Sequence, residues 1–92
     1  MTENWRIELT GPARRALENS LPEHVAWAAY AFMESRLASN PHRAGGALSA
    51  PYDGLHAARL GTYRIVYRID EEEHAVFVLT IRLRADVYGL GR

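Results

Sequence analysis

The spacing of apolar residues changes period once along this chain of 92 residues, near Leu55, and that single change excludes most architectures. Before it, apolar residues recur at helical spacing; after it, they alternate. Val25, Ala29 and Phe32 form one stripe, widened by Ala26, Met33 and Leu37, so residues 22–39 are predicted to be a helix with that side toward a core. A shorter helix over residues 12–19 precedes it, with Thr10 as N-cap and Pro12 in the first turn, and Leu21-Pro22-Glu23 breaks the two apart. Residues 5–9 (WRIEL) alternate and read as a strand. Trp27 and Tyr30 lie off the core stripe and are expected to pack against the first helix, the alternative being an exposed aromatic pair suited to a bound partner helix. Asn40-Pro41 ends the long helix, and the stretch that follows, through Arg43, Gly45, Gly46, Ser49 and Pro51 to Gly54, reads as a loop.

Beyond Leu55 three strands are predicted, at 56–60, 63–70 and 75–82, joined by turns at Gly61-Thr62 and at 71–74. The order β-α-α-β-β-β defines an α+β fold in which two helices pack on one face of a mostly antiparallel sheet. A single domain is expected over residues 1–92, and a core this small leaves a stability margin of about 5 kcal/mol. The absence of cysteine excludes disulfides, thiolate metal sites and a cysteine nucleophile. No run of about 18 apolar residues is present, and residues 1–6 lack a basic-then-apolar leader pattern, so a cytoplasmic protein with no membrane partner is expected.

Net charge is zero, yet the charges are sorted. Glu71, Glu72 and Glu73 are consecutive, whereas Arg59, Arg64, Arg68, Arg82, Arg84 and Arg92 all follow Leu55, and all eleven cations are arginine rather than lysine. Strand alternation places Tyr63, Ile65, Tyr67 and Ile69 on a core face and Arg64, Val66 and Arg68 on the other. Arg59 lies just across the proposed hairpin, and Arg82 and Arg84 share a parity, so several guanidinium groups can converge. Two readings of that face stand side by side. It is an ordinary solvated face whose arginines pair with Glu71, Glu72 and Asp86, each pair contributing roughly 0 to 1 kcal/mol. Alternatively it binds phosphate, which the planar, permanently charged guanidinium grips with two parallel hydrogen bonds. Arginine is a poor general base, so proton transfer in any reaction would fall to another group, with Tyr88 and His56 as candidates. His24, His42 and His74 show no ligand-like spacing, and no metal is expected.

The run Arg59-Leu60-Gly61-Thr62-Tyr63-Arg64-Ile65-Val66-Tyr67-Arg68-Ile69 resembles the arginine strand and Gly-x-Tyr-Arg hairpin of the RelE/ParE toxin superfamily. Val78-Leu79-Thr80-Ile81 followed by Arg84-Ala85-Asp86-Val87-Tyr88 is similar to that family's closing strand and tail. The resemblance implies a toxin of a type II toxin-antitoxin pair that cuts messenger RNA on the ribosome, by attack of a ribose 2′-OH on the adjacent phosphate and without a metal or other cofactor. It implies catalytic roles for Arg64, Arg84 and Tyr88 and a substrate contact from Arg59, to which the residues themselves add His56 and Arg82 as substrate-binding candidates. Leu55 and Ala57 stand where lysines occur in the best-known ribonucleases, and Arg82-Leu83-Arg84 replaces Gly-His-Arg. The implied partners are a cognate antitoxin, docked on the helical layer or the sheet edges, the ribosome with its message, and operator DNA in a larger toxin-antitoxin complex. The same fold also serves ParE-like inhibitors of DNA gyrase, which cut nothing, and an inactive antitoxin-binding relative would share it too.

Overall fold

The computed structural model describes residues 4–87. The strand β1 (Arg6–Leu9) leads into the helix α1 (Gly11–Arg15), which widens into a π-type turn over Ala16–Ser20. The helix α2 (Glu23–Phe32) ends in a second such turn, Met33–Leu37. A short helix α3 (Pro41–Ala44) and a two-residue strand β2 (Gly46–Ala47) follow, then β3 (Leu55–Leu60), β4 (Tyr63–Asp70), β5 (Ala75–Leu83) and a final helical turn α4 (Arg84–Val87). The five strands form one sheet in the order β1-β5-β4-β3-β2, antiparallel except for β1, which runs parallel to β5 at one edge. The expected architecture of helices on one face of a mostly antiparallel sheet is therefore the observed one.

The core is the contact between the helical layer and that face. Ala13, Leu17, Ala29, Phe32, Met33 and Leu37 meet Ala58, Ile65, Tyr67, Val76, Val78 and Ile81. The register explains how so apolar a strand as β5 serves one core. Val66 pairs with Thr80 but Tyr67 pairs with Val78, so Leu79 is an extra residue, a β-bulge. The bulge resets the alternation: Ile81 on one side of it and Val78 and Val76 on the other all face the helices, while Arg82 and Thr80 face away. Thr10 secures this irregularity. Its hydroxyl donates to the Leu79 carbonyl at 2.8 Å and accepts from the Ala13 amide at 3.3 Å, so one side chain caps α1 and fixes it to the bulge.

Two expectations need correction. The stretch after Asn40 is not all loop: Pro41 is buried and its carbonyl accepts a 2.7 Å hydrogen bond from the Tyr67 hydroxyl, which holds α3 against the sheet. Gly45 follows so closely that a Cβ there would stand 2.5 Å from the Ala57 carbonyl oxygen, and this approach delivers Gly46 and Ala47 to pair with Ala57 and His56. Trp27 and Tyr30, expected against the first helix, are instead 68% and 40% exposed, with their rings 6.2 Å apart on the side of α2 turned from the core.

Candidate functional site

The hairpin between β3 and β4 turns through Gly61 and Thr62, with Gly61 at φ 63°. A positive φ at the first central residue of a two-residue loop is the II′ geometry, which suits glycine and matches the twist of the flanking strands. This turn sets the register that matters most. It puts Arg59 directly opposite Arg64, and Arg64 is in turn directly opposite Arg82 on β5. Residues so paired have Cα atoms about 4.5–5.5 Å apart, and like charges in that relation destabilise a sheet. Arg84 joins the row from the start of α4, held by its amide's 2.8 Å hydrogen bond to the Thr62 carbonyl.

Among the described residues no carboxylate pairs with Arg59, Arg64, Arg82 or Arg84. Arg64 is oriented by backbone instead: its Nη1 donates to the Tyr63 carbonyl at 2.9 Å and to the Gly61 carbonyl at 3.2 Å, leaving the rest of its donor fork unused. Arg82 lies back along its strand and donates through Nε to the Thr80 hydroxyl at 3.2 Å. Two adjoining clefts, of about 530 and 700 Å³, share Arg59, Arg64 and Arg84 as common wall. Among the described residues, neither is lined by a histidine or a carboxylate. Such a site can bind an anion and stabilise added negative charge on it, but its described residues cannot move a proton at neutral pH.

Of the carboxylates expected to neutralise this face, Glu71 is engaged elsewhere and the side chain of Asp86 lies outside the described residues, while other carboxylates pair away from the row. Glu71 lies 2.7 Å from His42 Nε2, Glu73 lies 3.8 Å from Arg6, and Asp70 lies 3.9 Å from Arg68. Arg68 shares the face of Arg64 but stands four residues along β4, roughly 13 Å away, with its guanidinium 4.6 Å above the Phe77 ring.

His56 does not join the arginines. It pairs with Tyr67, on the helix-covered face, and stacks on that ring at 5.4 Å, with His42 at 6.4 Å. Its Nδ1 is buried without a hydrogen-bond partner, and burial, reinforced by the nearby His42, holds its pKa below the usual histidine value. The physical reason is parity: Arg59 and His56 are three residues apart on one strand, so they point to opposite faces. Tyr88 lies outside the described residues, as does the side chain of Asp86. Two contributors to the smaller cleft escaped the sequence reading. Arg36 looks like any polar residue late in a helix, whereas the Gly45-Gly46 pair did carry a signal, since adjacent glycines often mark close backbone approach.

A family model described as the ParE toxin of type II toxin-antitoxin systems matches residues 7–88. The chain belongs to the RelE/ParE toxin superfamily. Toxin RelE of Mycobacterium tuberculosis is 40% identical over 86 residues, covering 94% of this chain and 88% of its own, and Toxin RelG of the same organism is 38% identical, covering 91% and 95%. Among solved structures, the toxin-antitoxin complex RelBE2 of M. tuberculosis contains a chain superposing with a TM-score of 0.83 at 36% identity, covering 94% of this toxin and 98% of that chain. The arginine row of this RelE/ParE toxin thus sits on a fold shared with RelE toxins, and no helix among its described residues is long and apolar enough to cross a membrane.

Proposed function

We propose that this toxin is an endoribonuclease that cuts messenger RNA on the ribosome and is held inactive by a cognate antitoxin. One observation carries the reading: Arg59, Arg64 and Arg82 stand directly opposite one another on three adjacent strands, Arg84 closes the row, and no described carboxylate neutralises them. A row of cations that repel one another is tolerable where an anion spends time between them. In the reaction, a ribose 2′-oxygen attacks the adjacent phosphorus, the bond from phosphorus to the 5′-oxygen breaks, and the products are a 2′,3′-cyclic phosphate and a 5′-hydroxyl. Arg64 and Arg84 stabilise the extra charge of the pentacoordinate state, Arg59 and Arg82 hold flanking backbone, and Tyr88 handles protons. His56 takes no direct part. The solved complex of a 36% identical relative with its antitoxin supports the antitoxin partnership.

The family model's ParE description supports a second reading, in which the same surface blocks DNA gyrase without cutting anything. Primer extension on a defined message in a purified translation system separates the two. Cuts that require ribosomes and disappear with Arg64→Ala and with Tyr88→Phe are expected. An intact message together with inhibited gyrase supercoiling would replace the ribonuclease reading with the second one.

A further inference from the structure

The smaller cleft does not end at the catalytic arginines. From Arg59, Arg64 and Arg84 it continues past Gly45 and Gly46 to Arg36, at the far end of the long helix. The route is open because β2 pairs only with His56 and Ala57, so among the described strands β3 has no neighbour on that side beyond Ala57. The cleft therefore passes around the free edge of the sheet, from the arginine face to the helical layer. Small residues, Ala44, Gly46, Ala47, Ala57 and Ala58, line this passage, with open space on the side where Gly46 lacks a side chain. Its volume of about 530 Å³ lies within the range of about 300–1,000 Å³ typical of sites for small ligands, which accommodates a nucleotide-sized group.

Arg36 is equipped as the far anchor. It has no carboxylate partner among the described residues, and its guanidinium is steadied 5.6 Å above the ring of buried Phe32. We infer that Arg36 and the Gly45-Gly46 passage form a second subsite, which binds the phosphate of a nucleotide flanking the scissile one and draws the RNA strand around the edge of β3. This subsite rests on the reading of the arginine row as an RNA site. It assigns the helical layer a part in substrate binding that an arginine-bearing sheet face alone would not require.

The test is fluorescence anisotropy with a labelled RNA tetranucleotide carrying 2′-deoxyribose at the cut position, using the full chain. A neutral methylphosphonate is placed at each linkage in turn. Arg36→Ala should weaken binding of the all-phosphate RNA about five- to tenfold and lower the slope of log K against log salt by about one. Arg36→Lys should recover part of the loss. At one linkage flanking the cut, and not at the scissile linkage, methylphosphonate and Arg36→Ala together should cost no more than either alone. Additive losses at every linkage, or no loss on Arg36→Ala with an unchanged melting temperature, would overturn the subsite. Message cleavage by the wild type is scored separately: failure to cut sinks the ribonuclease reading, while the anisotropy still decides Arg36. If Arg36→Ala impairs cleavage only on ribosomes and leaves tetranucleotide binding intact, Arg36 meets ribosomal RNA and the subsite is wrong.

Discussion

The two ends of the β3-β4 hairpin are built from similar residue types and treat charge in opposite ways. At the turn end, Arg59, Arg64, Arg82 and Arg84 crowd together with no described counterion. At the other end nearly every polar group is engaged. His42 meets Glu71, Arg6 bridges Glu8 and Glu73, Trp5 stacks on His74 at 3.9 Å, and Tyr67 donates to Pro41. Zero net charge thus hides a cationic end, whose excess is offset by the carboxylates gathered away from it. An unbalanced end costs stability, and the balanced end carries the fold, which is the division expected when a site is held ready for an anionic ligand.

Removing one cation from the row should have the largest effect. Arg64→Ala should lower single-turnover cleavage by about 10²–10³-fold, the usual loss for one transition-state donor. Because two like-charge pairings, with Arg59 and with Arg82, disappear with it, the melting temperature should stay level or rise by a few degrees. A large fall in melting temperature would mean that the turn end is structural after all. At positions that hold the backbone the first effect should be on stability. Gly45→Ala forces a methyl group to 2.5 Å from the Ala57 carbonyl and should cost about 1–3 kcal/mol in denaturant unfolding. Tyr67→Phe leaves the buried Pro41 carbonyl without its donor, a loss of about 1–2 kcal/mol, with cleavage per folded molecule retained.

Tyr67 and His56 also predict how stability depends on pH. Burial pushes the Tyr67 phenol up to about 12 from its ordinary 10, so its contribution is intact below pH 10 and is lost as pH rises through about 12. His56 has the opposite sign. Its pKa is depressed in the fold, so the unfolded chain takes up the proton first, and stability present above pH 6.5 falls on acidification. His56→Phe should flatten the acid limb of a melting-temperature profile, and an unchanged limb would refute the assignment. The smallest effect is expected at Trp27, whose exposure limits Trp27→Ala to within about 0.5 kcal/mol of wild type.

The division between the two ends was partly written in the sequence. Strict alternation on β4 and a two-residue turn at Gly61-Thr62 are enough to set Arg59 against Arg64, and the parity of residues 82 and 84 brought the last strand's arginines near them. His56 was misplaced even though the same register, counted back from the turn, sets it against Tyr67. Other features left no local trace. The bulge at Leu79 is silent because residues 75–81 are apolar enough to satisfy either face, and β2 is too short to show a period. The exposure of Trp27 and the place of Arg36 in the cleft follow from tertiary packing between segments distant in sequence, which local periodicity does not encode.

The central claim is that the cationic end performs phosphate chemistry on RNA. It is tested most directly by mass spectrometry of the upstream fragment from a message cut on ribosomes by the wild-type toxin. Attack by the 2′-oxygen predicts a 2′,3′-cyclic phosphate at its end, facing a 5′-hydroxyl on the downstream piece, with both absent from the Arg64→Ala reaction. A 3′-hydroxyl end, or cyclic phosphate that persists undiminished without Arg64, would contradict the account.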